Sequence, residues 1–88
     1  MEDNSIYILK NYGVTKIKLK EILLEKGISR NKLCSLVGAN FDLINRYYNN
    51  SISRVDLDII SRFCYVLNCN ISDILEYTPS DENSSKAR

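Results

Sequence analysis

Apolar residues recur with helical spacing along most of this chain, and the clearest run lies in its middle. Leu33, Leu36 and Val37 stand at positions i, i+3 and i+4, which is the spacing of one helix face. Ser29, before this run, is a favoured N-cap residue, and Gly38, after it, is favoured where a helix ends in a left-handed conformation. The pattern predicts a helix of about eight residues that stops at Gly38.

A second helix is predicted almost immediately afterwards. Asn40 is another N-cap candidate, and Leu43, Ile44 and Tyr47 recur at three- and four-residue spacing before the asparagine pair 49–50 ends the run. So short a connection leaves no chain to bring the two helices antiparallel. They must cross at a large angle, which is the helix-turn-helix arrangement.

The segment before this motif predicts one more helix. Thr15 can cap a helix that runs to about Lys26. Its inward face is the stripe Leu19, Ile22 and Leu23. Ile17 and Leu24, seven residues apart, form a partial second stripe. We interpret that stripe first as extra burial against residues 5–12, and alternatively as a dimer surface.

Two further helices are predicted after the motif. Val55 and Asp56 open a longer helix to about Leu67, and Ser72 caps a short last helix that ends near Tyr77. The apolar stripe of the longer helix consists of Leu57, Ile60, Cys64 and Leu67, flanked by Ile59, Phe63 and Val66. These patterns together predict an all-α fold, a compact bundle of about five short helices that contains a helix-turn-helix.

The two ends differ in character from the middle. Residues 1–14 are expected to form an N-terminal arm, whose apolar part, Ser5–Tyr12, is either a short strand or an extended segment laid on the body or on a partner. Residues 15–78 are expected to form the domain itself. Residues 79–88 are almost entirely polar after Pro79, and we expect a disordered tail there.

Composition narrows the function classes. The chain has 88 residues and a net charge of +1, and it contains three cysteines and no histidine. This size suits one domain and favours dimerisation. An odd number of thiols without histidine predicts reduced structural cysteines and no metal site.

We find no phosphate-cradling glycine loop or catalytic constellation, so we expect neither a cofactor nor an enzyme. The longest apolar runs are too short to span a bilayer, and we expect a cytoplasmic protein.

Charge is distributed less evenly than its sum suggests. Between Ser5 and Ser72 there are ten basic and five acidic residues, and the ends carry the compensating acid. A modest positive excess on the central part suits contact with a phosphate backbone without indiscriminate binding.

Two stretches carry a resemblance to a known family. They are I-S-R-N-K-L-C-S-L-V-G-A-N-F-D-L-I-N-R-Y-Y-N-N and L-D-I-I-S-R-F-C-Y-V-L-N-C-N-I-S-D-I-L-E-Y. The sequence from about Ile17 to Tyr77 resembles the lambda-repressor/Cro-type helix-turn-helix transcriptional regulators (XRE family). The resemblance implies a sequence-specific regulator, in the main a repressor, that inserts helix 40–49 into the major groove of double-stranded DNA as a homodimer on an inverted repeat. It implies no small-molecule ligand.

The resemblance also implies which residues meet base edges: Arg30, Phe41, Asp42, Asn45 and Arg46. Arg46 or Arg30 could donate a fork to guanine, and Asn45 could pair with adenine. Phe41 could contact a thymine methyl group, and Asp42 could accept from cytosine N4.

Phosphate contacts are expected at two places. The N-terminus of the first motif helix offers free N–H groups and a positive dipole end, with Ser29 and Lys32 beside it. The link after the second motif helix is the other candidate clamp: Asn49, Asn50, Ser51 and Arg54. Tyr48 is expected to pack under this link or, alternatively, to lie over a sugar-phosphate.

Three residues depart from the family pattern. Arg30 stands where the family commonly has glutamine, and Asn50 replaces a frequent glycine. Asp42 places a negative charge close to the phosphates, where it costs affinity unless it meets a cytosine amine. Together with the weak net charge, Asp42 keeps an alternative open: a protein-interaction module that retains the fold and does not bind DNA.

Overall fold

The computed structural model describes residues 12–80, which fold into five helices and one two-stranded sheet. In chain order the elements are β1 (Val14–Ile17), α1 (Leu19–Lys26), α2 (Arg30–Val37), α3 (Phe41–Tyr48), α4 (Leu57–Leu67), α5 (Ile71–Ile74) and β2 (Leu75–Thr78). The mainly helical class and the five helices confirm the sequence prediction. The sheet is an addition that local patterns did not indicate.

The sheet joins the two ends of the described chain. β1 and β2 are antiparallel, with Val14 opposite Thr78 and Ile17 opposite Leu75. The predicted helix start at Thr15 is therefore wrong, because Thr15 lies in β1 and α1 begins only at Leu19. The partner strand lies about sixty residues further along the chain, so local periodicity does not indicate it.

The chain enters β1 against the backbone of the opposite strand. A Cβ atom on Gly13 would lie 2.5 Å from the carbonyl oxygen of Thr78 and 2.9 Å from Cα of Pro79. Only glycine fits this close approach. Ser80 is buried, so packed structure continues two residues past the expected domain end at 78.

All five helices and β1 contribute to one core. Its buried members are Ile17, Leu19, Ile22, Leu23, Leu33, Val37, Ile44, Tyr47, Ile59, Ile60, Phe63, Leu67 and Ile74. The inward face predicted for α1 is confirmed in full. Such a cluster, drawn from every helix, fixes the position of α3 relative to the rest of the domain.

Some apolar positions point outward instead. Leu36 is 43% exposed, Leu57 is 72% exposed and Leu24 is 67% exposed. Leu36 in α2 and Leu57 in α4 were predicted to face the core, and both predictions are wrong. The second stripe on α1 is also wrong, because Ile17 belongs to β1 and is buried while Leu24 faces away from the core.

The longer helix, α4, ends at Leu67 as predicted, but its start and both ends of α5 differ from the prediction. α4 begins at Leu57, because Asp56 is its N-cap and accepts a hydrogen bond from the N–H of Asp58 at 2.9 Å. α5 begins at Ile71 with Asn70 as N-cap, so Ser72 lies inside the helix. It ends at Ile74 because the next four residues form β2.

The predictions for residues 1–11 of the N-terminal arm and for residues 81–88 of the tail fall outside the described part of the chain. Within residues 12–80, no helix is long and apolar enough to cross a membrane.

Candidate nucleic-acid interface

The turn between α2 and α3 is fixed by local capping. Gly38 adopts φ 71°, a left-handed conformation that favours glycine, and its N–H donates to the carbonyl of Cys34 at 2.9 Å. Asn40 then caps α3, its side-chain oxygen accepting from the N–H of Leu43 at 2.8 Å. Both caps were predicted, and together they end α2 at Val37 and start α3 at Phe41, which is the short connection of a helix-turn-helix.

A side chain of α4 also stabilises this turn. Arg62 of α4 donates from Nη1 to the carbonyl of Val37 at 2.9 Å and pairs with Asp58 at 2.9 Å. The carbonyl of Val37 belongs to the last turn of α2, where no intrahelical donor is available. Sequence reasoning missed this contact, because nothing near Arg62 in the sequence indicates a partner 25 residues earlier.

The inner face of α3 is locked into the core. Ile44 and Tyr47 have no exposed surface, and Leu43 is half-buried against the same cluster. The Tyr47 ring meets that of Phe63 edge-on, with centroids 5.4 Å apart. This inner face agrees with the predicted one, so the opposite side of α3 is directed outward.

The outer face of α3 carries the residues expected to meet base edges. Asp42 and Arg46 are exposed, Phe41 is 44% exposed and Asn45 is partly buried. The structure thus brings these four side chains to one surface. A helix of this kind, about 10–12 Å across with its side chains, matches the width of the major groove of B-DNA, about 12 Å.

Arg30, the first residue of α2, joins this surface through direct contacts. Its Nη1 donates to Oδ1 of Asn45 at 2.6 Å. Its guanidinium lies 5.6 Å from the ring centroid of Phe41 and 4.4 Å from that of Tyr48. Cation–π contacts of this kind add to the hydrogen bond and hold Arg30 in place.

Tyr48 packs against basic side chains of α1 and α2. Its partners are Arg30 of α2 and Lys20 of α1, whose Nζ is 5.9 Å from the ring centroid. The sequence interpretation named neither of these two contacts, and its alternative, a contact with a sugar-phosphate, stays a prediction. The sequence signal for the two contacts was weak, since α1 supplies one of the two cations from 28 positions away.

The candidate phosphate contacts at the start of α2 are accessible. Ser29 is the N-cap, its Oγ accepting from the N–H of Lys32 at 3.0 Å. The side chains of Ser29 and Lys32 are exposed, and no acidic residue occupies the first turn. The N–H groups of Arg30 and Asn31 come earlier in this turn than the capped one.

The four residues of the second candidate clamp are all exposed. The Ser51 hydroxyl makes one long contact, donating to the carbonyl of Arg46 at 3.4 Å. Asn50 is engaged: its Oδ1 accepts from the N–H of Ile17 at 2.7 Å, and its Nδ2 donates to the carbonyl of the same residue at 2.6 Å. Asn50 also has φ 60°. Its side chain thus fastens β1 to the end of α3, which argues against the predicted phosphate contact.

The cysteines show no sign of a metal centre. All three thiols are free and partly buried, and residues 12–80 contain no cluster of three potential ligands. Burial and, next, the neighbouring Cys64 raise the pKa of the Cys69 thiol above its ordinary value. A raised pKa lowers the thiolate fraction and hence the reactivity of this cysteine.

Comparison with known proteins agrees with this geometry. Residues 18–80 match the sequence model of the Cro/C1-type HTH DNA-binding domain. No match is found among curated proteins.

Two solved structures are similar in fold. One is a candidate DNA-binding protein from Bacteroides fragilis, with a TM-score of 0.64 and 22% identity, over 72% of this chain and 100% of that one. The other is the transcriptional regulator VanUg, with a TM-score of 0.63 and 24% identity, over 78% of this chain and 91% of that one. At these identities the likeness establishes the fold.

Proposed function

The chain belongs to the Cro/C1-type helix-turn-helix DNA-binding domain family, and from that premise we propose that it is a sequence-specific transcriptional regulator that inserts α3 into the major groove. The observation that carries this proposal is the division of α3 into two faces. Ile44 and Tyr47 anchor it to the core, while Asp42 and Arg46 are exposed on the outward side.

Each outward residue has a distinct chemical capacity. Arg46 is the strongest reader, because its exposed guanidinium can donate two parallel hydrogen bonds to O6 and N7 of guanine. Asp42 accepts from cytosine N4, and the ring of Phe41 contacts a thymine methyl group. A good bidentate contact discriminates between bases by about 1–3 kcal/mol.

Contacts with the phosphate backbone of DNA come from both ends of the helix-turn-helix. We assign them to Ser29, Lys32 and the first-turn N–H groups of α2 on one side. On the other side we assign them to Asn49, Ser51 and Arg54 and leave out Asn50, because its side chain is bonded to Ile17. Such contacts position the protein on the duplex without reading sequence.

We propose that the regulator acts as a homodimer and, bound to its operator, as a repressor. A two-fold dimer places two copies of α3 about one turn of DNA apart, which matches an inverted repeat. Exposed apolar side chains on α4 support self-association, since Leu57 is 72% and Tyr65 is 87% exposed.

One alternative function is supported by a specific feature of the surface. Leu36, Arg62 and Tyr65 line a shallow hollow of about 310 Å³ between α2 and α4. A protein partner could occupy it, and Asp42 would then carry no cost because no phosphate would approach it. This interaction module is the competing function.

Selection of bound sequences from a pool of random duplexes separates the two functions. We expect the wild-type protein to enrich one motif at low salt. Arg46→Ala should relax one position of that motif, because the base-reading fork is gone. Arg54→Ala is the matched control: it should weaken binding of every sequence and leave the motif unchanged. A folded protein that enriches no motif at low salt would support the interaction module instead.

A further inference from the structure

Two residues of the proposed DNA-facing surface, Arg30 and Asn45, are joined by a hydrogen bond. The 2.6 Å hydrogen bond joins Arg30 Nη1 to Asn45 Oδ1 and links the first residue of α2 to the middle of α3. A guanidinium carries only donors, so it determines which way the amide of Asn45 is turned. The oxygen of Asn45 must face Arg30, and the amino group must face away from it.

This pair is held before any DNA arrives. Arg30 is partly buried, and its guanidinium lies over the rings of Phe41 and Tyr48 at 5.6 Å and 4.4 Å. The charged donor shortens and strengthens the bond to Asn45 relative to a neutral one. Arg30 therefore has few ways to release the amide, and Asn45 presents a nearly fixed arrangement of donors.

An asparagine reads adenine only when both ends of its amide are available. Its oxygen accepts from the N6 amino group while its nitrogen donates to N7. In this chain Arg30 occupies the oxygen, and its positive charge repels the amino hydrogens of adenine from the remaining lone pair. Guanine offers two acceptors, N7 and O6, on the same edge. A group that can only donate matches guanine and mismatches adenine.

We propose that Asn45 reads guanine rather than adenine and that Arg30 is the positioning residue that sets this preference. The proposal rests on the function proposed above and names the specificity of the same surface. It also revises the sequence interpretation, which paired Asn45 with adenine because a lone asparagine favours that base.

The test uses the duplex recovered by selection and exchanges each base pair in turn. Binding by Asn45→Ala identifies the base pair that Asn45 reads, because the mutant loses its preference there. We expect the wild type to prefer G·C over A·T at that position by about fivefold or more. Arg30→Ala should change the preference at the same position toward A·T, since the amide oxygen is then free to accept.

Lys32→Ala is the matched control, because it removes another cation of the first turn of α2 without touching Asn45. It should lower affinity equally for all sequences. A thermal melt checks that each variant is folded. If Arg30→Ala does not fold, the wild type is assayed with 7-deazaguanine at the mapped position, which removes the N7 acceptor and should weaken binding about fivefold or more.

The outcomes are distinct. An A·T preference of the wild type at the mapped position, or a preference that Arg30→Ala leaves unchanged, would overturn the inference while the regulator remains. Full binding to the 7-deazaguanine duplex would do the same. Dependence on no base pair anywhere would overturn the proposed function, and the inference with it.

Discussion

At the scale of single residues, Tyr47 joins the core to the segment that follows α3. Its side chain is fully buried, and its hydroxyl oxygen accepts from the N–H of Asp56 at 3.0 Å. That N–H belongs to the N-cap of α4, so one hydroxyl connects the end of the motif to the next helix. The position of the connecting link, with its candidate phosphate contacts, therefore depends on a core residue.

Tyr47→Phe tests this connection. The ring and its packing on Phe63 remain, while the N–H of Asp56 loses its partner, so the free energy of unfolding should fall by about 1–2 kcal/mol. Urea denaturation measures it. Tyr12→Phe is the control, because Tyr12 is 60% exposed and lies outside the proposed dimer contact, so the change should stay within about 0.5 kcal/mol. Equal effects of the two substitutions would contradict the role given to the Tyr47 hydroxyl.

The sequence was most informative about residues that act on close neighbours. Ser29, Gly38 and Asn40 were predicted as caps and are caps, because a cap acts on groups within about four residues. The side-chain contacts of Arg62 and Asn50 were not predicted. Their partners lie 25 and 33 residues away, and neither residue type indicates by itself a distant backbone group.

At the scale of elements, the attachment of β1 to the motif is the feature that periodicity could not predict. Asn50 accepts from and donates to the backbone of Ile17, with both hydrogen bonds under 3 Å. β1 in turn pairs with β2, which lies near the C-terminal end of the described chain. The sheet thus joins both ends of the described chain to the C-terminal end of α3. Because β1 occupies Val14–Ile17, the first helix begins three residues later than a cap at Thr15 predicts.

Asn50→Gly tests this attachment without disturbing the backbone. Glycine adopts the φ of 60° readily, so the substitution removes only the two side-chain bonds. We expect a loss of about 1–3 kcal/mol in the free energy of unfolding. The salt dependence of DNA binding should keep its slope, whereas removal of a phosphate contact would reduce it. A stable variant with a shallower slope would restore Asn50 to the phosphate clamp.

Arg62→Ala tests the tie between α4 and the end of α2. The carbonyl of Val37 and the carboxylate of Asp58 both lose their partner. The side chain of Arg62 is 45% exposed, so water replaces part of the interaction and the expected loss is only about 1 kcal/mol. Arg54→Ala serves as the control in the same denaturation experiment, since Arg54 is exposed. A loss no larger than that of Arg54→Ala would show that Arg62 does not stabilise the turn.

At the scale of the whole molecule, self-association decides how many recognition helices meet one operator. The described part of the chain leaves Leu57 and Tyr65 of α4 largely exposed, and Leu24 of α1 as well. We place the dimer contact on α4, because two apolar side chains there lie eight residues apart, on one side of the helix.

Sedimentation equilibrium of the wild type should show a dimer at high concentration. Leu57→Glu should shift it toward monomer, because it introduces a carboxylate into the proposed contact. Leu24→Glu, an equally exposed leucine on α1, should leave the dimer intact. A wild type that is monomeric at every concentration would refute the homodimer, and dissociation by Leu24→Glu alone would move the contact to α1.

Dimethyl sulfate interference on the selected duplex tests the central claim most directly. The reagent methylates guanine N7 in the major groove and adenine N3 in the minor groove, so it reports which groove the protein occupies. If α3 reads the major groove, protein-bound DNA should be depleted of N7-methylated guanines in each half-site and should tolerate N3-methylated adenines there. Depletion of N3-methylated adenines alone would contradict the insertion of α3 into the major groove.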